Sequence, residues 1–457
     1  MIHSTKNDSK KNKEPMNLTE GSLIKKIFVF SIPLMLSNVL QVLFNMSDIA
    51  VVGRFAGSTA LGAVGSTAVF VSLFTGFLIG VGSGVNALIA RHIGAENDKN
   101  VSEASRASLA VSFIIGIILA GLGIGIARPV LKLLGTKPEF LNGATLYLRI
   151  YFCGMPALAL YNFGNGVFSA DGDTKRPLLY LSVSGVVNVL LNLLLVIVFR
   201  MSVAGVAIAS IISQYLSAIW IIVALSKTKR PYKLILRRFC VNKSQVKSVI
   251  SLGVPAGLQN AIFAMANLFI QAGVNTFDSV MVAGNSAAAN ADAFMYDLMA
   301  AFYTACTSFM SQNFGAGKKD RIIKSYFISL AYSFLISAAL GGLLVLCGKP
   351  FLSLFTTEPA VIEAGMKRLT IMALSYSVSS FMDCTIAASR GLNKTIVPTI
   401  IVIMGSCVFR IIWVYTIFAH FKTIPSLYLL YVFSWSITAI AEIIYFAVTY
   451  KKAVKSF

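Results

Sequence analysis

The sequence predicts an all-α polytopic membrane protein whose twelve transmembrane helices form two pseudo-symmetric six-helix lobes. Three observations carry this. The 457 residues are 56% hydrophobic and only 12% charged, and apolar runs of membrane-spanning length recur along the whole chain. The apolar pattern is written twice, roughly 221 residues apart: Ile32-Pro33, Asn38 and Asn45 return as Val254-Pro255, Asn260 and Asn267, and Leu133, Thr136 and Pro138 return as Leu354, Thr357 and Pro359. Basic residues, finally, collect in alternate loops.

The elements follow in order. Residues 1–20 are polar and rich in lysine and read as a disordered cytoplasmic tail. The first apolar segment is too long for a signal-peptide core and lacks a small-residue cleavage site, so it reads as an uncleaved span. Apolar runs between polar breaks place six spans at 27–52, 61–89, 104–127, 141–168, 177–199 and 203–226, within a lobe covering 21–226. Residues 227–247 hold eight basic residues, no acid and Pro231, and read as a basic cytoplasmic linker that also suits an anionic lipid surface. Six further spans at 248–275, 281–310, 325–348, 361–388, 397–418 and 425–449 fill a second lobe, 248–450, before a cytoplasmic tail, 451–457.

The net charge of +21 would raise nucleic acid as a partner in a soluble protein, but the location of the charge argues against it. With the N-terminus in the cytoplasm, 28 of the 39 Lys and Arg fall on that side, so the positive-inside rule puts both termini there. Six spans per half make the repeat parallel, with its pseudo-twofold axis along the membrane normal. Gly-rich runs such as Gly80-Val81-Gly82-Ser83-Gly84 lie inside spans and suit close helix packing. No GxxxxGK[ST] loop for ATP occurs, so uphill transport calls for an ion gradient or a separate subunit. The cysteines lack metal-ligand spacing, and no cofactor is expected.

Asn38, Gln41, Asn45 and Asp48 share one face of the first span. Such a stripe faces protein or a watery cavity, never lipid, and Pro33 below it offers a hinge, as Pro255 does in the second copy. Asp48 lies past the midplane and is not repeated; its register partner is Phe269 or Ile270. An unpaired intramembrane acid points to a coupling ion, Na+ or H+. Asn188 and Asn192 share a face of the fifth span, with Ser210 near them on the sixth, and could supply neutral oxygen ligands.

The series Ile32-Pro33, Asp48 with Val51-Val52-Gly53-Arg54, Gly80 to Gly84, Ala90-Arg91 with Ile93-Gly94-Ala95, and Ala170-Asp171-Gly172-Asp173 resembles the multidrug and toxic compound extrusion (MATE) family of the MOP flippase superfamily. Gln312 to Lys318 is similar to that family's second-half loop. The resemblance implies a secondary antiporter in the bacterial cytoplasmic membrane, exporting organic cations or amphipathic drugs. It implies a cation site at Asp48, Asn188, Asn192 and Ser210, with Asn192 departing from an acid often found there. It also implies small cationic amphipathic substrates, contact with membrane lipids and a monomer.

In the second lobe the polar candidates for the substrate cavity are Gln259, Asn260, Asn267 and Gln271, then Asp292, Tyr296 and Asp297, then Asp383 and Arg410. The sequence leaves open whether these acids bind substrate, bind ions or pair with Arg410. A flippase for a lipid-linked oligosaccharide is the alternative transport reading, weakened by cavity candidates that are mostly Asp and Asn. A polytopic membrane enzyme is a remote one, since His3, His92 and His420 are scattered and assemble no catalytic set.

Overall fold

The computed structural model describes residues 15–235 and 241–455, and these are helical almost throughout. Among the described residues, the helices are consistent with twelve spans. Ten are long and apolar enough to cross a membrane by themselves: Leu23–Ala56, Ser58–Gly94, Asp98–Leu133, Lys175–Val198, Ser202–Lys227, Lys243–Val274, Lys319–Ser353, Pro359–Gly391, Ile396–Phe421 and Ile424–Lys455. The fourth is a pair of helices, Pro138–Phe152 and Met155–Asp171, bent by 48°. The eighth, Ser279–Gly315, runs 37 residues, and Asn285, Ser286, Asn290, Asp292 and Asp297 make it more polar than the ten.

The two lobes meet along a seam whose side-chain bonds run from mid-span to the end carrying the basic loops. At mid-span Asn38 Nδ2 donates to the carbonyl of Asp297 at 2.6 Å and Asn260 Nδ2 to that of Gly76 at 3.1 Å. Deeper in, Asn86 and Ser308 exchange hydrogen bonds at 2.9 and 3.1 Å, and Arg390 donates to Ser83 Oγ at 2.6 Å. Gln312 Nε2 reaches the carbonyl of Ala170 at 2.5 Å. In a medium without water every such polar group needs a protein partner, and these cross-lobe bonds supply it.

Glycine sets how closely the lobes approach. A Cβ on Gly94 would stand 1.9 Å from the carbonyl oxygen of Gln312, and one on Gly315 would stand 2.0 Å from that of Arg91. Gly94 and Arg91 in one lobe correspond to Gly315 and Gln312 in the other, so a single contact is made twice across a pseudo-twofold axis. Gly80 and Gly84 admit the seventh span in the same way, at 2.4 Å from the Ala256 carbonyl and 2.5 Å from Gly253 Cα. This parallel arrangement is the one the repeat predicts.

Two expectations change. Residues 1–14 of the expected disordered tail lie outside the described residues, but 15–20 are fixed: Leu18 is buried against the second lobe, and its carbonyl accepts from Asn313 and Arg321. In the basic linker Tyr232 and Leu234 are buried under the first lobe, Tyr232 donating to Asp171 at 2.8 Å, while 236–240 lie outside the described residues. A polar composition hid both anchors, because single apolar residues decide where such segments dock.

Candidate functional site

The first span carries Asp48 about 15 Å beyond Asn38, away from the basic end, by helical rise. There the structure brings together all four residues of the expected cation site. Asp48 Oδ1 accepts from Asn192 Nδ2, Oδ2 accepts from Ser210 Oγ at 3.3 Å, and the Asn192 amide also donates to Asn188 Oδ1 at 3.2 Å. Asn192 is fully buried, and its Oδ1 has no hydrogen-bond partner. The group therefore offers a carboxylate, two amide oxygens and a hydroxyl with no cationic side chain bonded among them. That donor set suits a hard monovalent cation, and the orphaned amide oxygen is an atom such an ion would satisfy.

Local backbone positions these ligands. Asn188 and Asn192 stand one turn apart on the fifth span, and each of the two site helices passes into a wide π-helical turn just after its ligands, at Val52–Ala56 and Leu194–Val198. Tyr147 and Tyr151, stacked at 5.7 Å, lie within electrostatic reach of Asp48. Sequence reasoning missed this pair, although its spacing of four on the fourth span was a usable signal.

The polar stripe of the first span does not act as one surface. Asn38 faces the other lobe, Asp48 its own, Gln41 is half-buried and Asn45 is exposed.

The second-lobe candidates divide into three groups. Asp292 is ion-paired with Arg368 and accepts from Tyr376; Arg368 also donates to the Asn285 carbonyl at 3.2 Å. Asn285 in turn accepts from Tyr428 at 2.7 Å and donates to Gln271 at 3.4 Å. The partner of Asp292 is thus Arg368, not Arg410, because the tenth span packs against the eighth at that level. Second, Arg410 sits among the rings of Tyr431, Trp435 and Phe263 and donates to Asn267 and Ser434. Third, Asp383 and Glu442 are buried, each with carboxylate oxygen lacking a hydrogen-bond partner, near Arg390 at the basic end of the tenth span.

The remaining candidates differ in placement, and of these Tyr296 is exposed. Gln259 is buried with Oε1 unpartnered, Asn260 belongs to the seam, and Tyr296 contacts Tyr303 edge-on at 6.4 Å. Asp297 meets Asn38 through its backbone carbonyl. Arg368, Tyr376, Arg390 and Glu442 were not foreseen; a charged residue inside an apolar run was the available signal.

Comparison with known proteins agrees with this architecture. The family model MatE matches residues 33–194 and again 255–416. The chain is 28% identical over 394 residues to the Bacillus subtilis protein named "Probable multidrug resistance protein YoeA", covering 85% of each. It is 27% identical over 333 residues to the Shewanella oneidensis "FAD transporter", covering 70% of this chain and 72% of that one. A solved structure described as the "outward-facing conformation of a multidrug resistance MATE family transporter of the MOP superfamily" superposes with a TM-score of 0.89 at 23% identity, over 98% of this chain and all of that one; that likeness carries the fold. A family model matched once in each lobe, relatives along most of the chain and a two-lobe membrane fold place this chain in the MatE family of MATE transporters.

Proposed function

We propose that this transporter is a secondary antiporter of the cytoplasmic membrane, exporting organic cations or amphipathic drugs in exchange for Na+ or H+ by alternating access. The observation that carries the reading is the set Asp48, Asn188, Asn192 and Ser210: one acid held by neutral groups only. Its charge is balanced from solution, by a metal cation or a proton, and a lobe that binds the ion differently in two states is coupled to it. With the basic loops cytoplasmic, the closed seam makes this an outward-open arrangement. Pro33 and Pro255 act as the hinges of the first and seventh spans. The protein works as a monomer in contact with lipid, with Asn267 and Tyr296, the exposed members of the second-lobe set, facing the substrate path.

The test is efflux of a fluorescent organic cation from energised vesicles, comparing the native chain with Asp48→Asn under separately imposed sodium and proton gradients. Export driven by one gradient and lost in the variant is the expected result and names the ion. Undiminished export by the variant removes Asp48 from coupling. A flavin dinucleotide serves as the anionic control cargo, given the relative named for FAD, and its preferential export would reverse the substrate class.

A further inference from the structure

We propose that Arg410 is a built-in cation that fills, in the second lobe, the pocket corresponding to the Asp48 site of the first, so that coupling ions act through the first lobe alone. The pocket argument is geometric; only its consequence for coupling rests on the antiport reading above.

The register comes from the repeat itself, whose two family-model matches are offset by 222 residues at both ends. On that offset Asp48 corresponds to Ile270, Asn192 to Val414 and Asn188 to Arg410, while Asn45 keeps an amide at Asn267. The second-lobe pocket has therefore lost its acid and an amide to buried apolar residues and gained a permanent positive charge. Tyr431, on the twelfth span, stands one residue from the position Ser210 takes on the sixth.

The guanidinium occupies this place as an ion would. Its central carbon lies 4.6 Å from the ring centre of Tyr431, 5.5 Å from that of Trp435 and 5.8 Å from that of Phe263. Nε donates to Ser434 Oγ at 3.2 Å and Nη1 to Asn267 Oδ1 at 3.4 Å. Arg410 is 2% exposed and Nη2 has no partner. Among the described residues no carboxylate stands within salt-bridge distance of it; Asp383 acts on it only at longer range. Ring faces and neutral oxygens are what hold a cation without a counter-ion, and a buried charge so held repels a second cation from the same space.

The backbone repeats the correspondence on one pair of spans: the fifth has a π-helical turn after Asn192, Leu194–Val198, and the eleventh has one after Arg410, Val414–Phe418, with a further turn before it at Ile403–Val408. Such turns insert a residue into a helix and gather at functional sites. The second lobe is in this sense always loaded, whereas the first is loaded only when an ion arrives.

The experiment uses the full chain in lipid nanodiscs, with Trp220 and Trp413 replaced by Phe so that Trp435 reports alone. Arg410→Ala leaves a space of guanidinium shape. Millimolar guanidinium is expected to shift Trp435 emission saturably and to raise the melting temperature of Arg410→Ala, while urea, the uncharged isostere, does neither and the unsubstituted Arg410 chain responds to neither. In vesicles Arg410→Met is expected to lose about tenfold in efflux, Arg410→Lys to retain most of it, and guanidinium to restore Arg410→Ala. Should Arg410→Ala fold poorly, its folding yield in guanidinium against urea is the same comparison. Native efflux by Arg410→Met, equal rescue by urea, or a bound cation persisting after Asp48→Asn would each overturn the proposal. The nanodisc readout needs no transport, so a guanidinium-specific response without efflux would sink the antiport reading and leave the pocket standing.

Discussion

Asp48 in the first lobe and Asp292 in the second are both acids inside membrane spans, yet their surroundings differ in one decisive respect. Asp48 accepts from one amide, Asn192, and one hydroxyl, Ser210, with Asn188 bonded to that amide in turn, and none of the three carries charge. Asp292 is matched by the Arg368 guanidinium and capped by Tyr376. An acid with neutral partners takes its counter-charge from outside the lobe, whereas a paired acid is already complete. On the antiport reading proposed above, the same residue type is an exchangeable site in one lobe and a fixed strut in the other.

Four substitutions would break or sharpen this contrast. The largest effect is expected from Arg368→Ala, which strands Asp292 and should cost about 3–5 kcal/mol of stability. Arg368→Met combined with Asp292→Asn should recover most of that in thermal melts, and no recovery by the double variant would deny the strut. Next, Gly94→Leu cannot coexist with the Gln312 carbonyl 1.9 Å from its Cβ position. It should disfavour the closed seam by about 3 kcal/mol, roughly a hundredfold in population. Spin labels on either side of the seam would read that as a longer distance distribution.

Asn192→Asp adds a second charge to the exchangeable site and should tighten cation binding about tenfold, a change of about 1.4 kcal/mol, measurable as competition against a labelled cation. An unchanged affinity would mean that the ion does not sit between Asp48 and Asn192. Ser210→Ala removes one long hydrogen bond and should weaken binding only about threefold, a change near 0.6 kcal/mol. A loss as large as that of Asp48→Asn would place Ser210 at the centre of the site instead of its edge.

The repeat and the spans were legible because hydrophobic thickness and helical rise dictate them directly. Asn188, Asn192 and Ser210 were legible as neighbours from spacing and a short hairpin, but it was the family resemblance, not spacing, that joined Asp48 to them. Arg368 was not, since nothing in sequence separation says which of several helices an acid on the eighth span will face. Leu18 escaped notice because one buried leucine in a polar segment is invisible to composition. The π-helical turns around Arg410 escaped because an inserted residue shifts register without altering residue type, which is also why Arg410 could not be aligned with Asn188 before the repeat was fixed at both ends.

The doubled contact of Gly94 with Gln312 and Gly315 with Arg91 has a further implication. A patch that meets its own copy in this way has the geometry of an isologous dimer interface, in which residue i touches j and j touches i. The fit between the lobes is then written into each half rather than into the covalent linker between them.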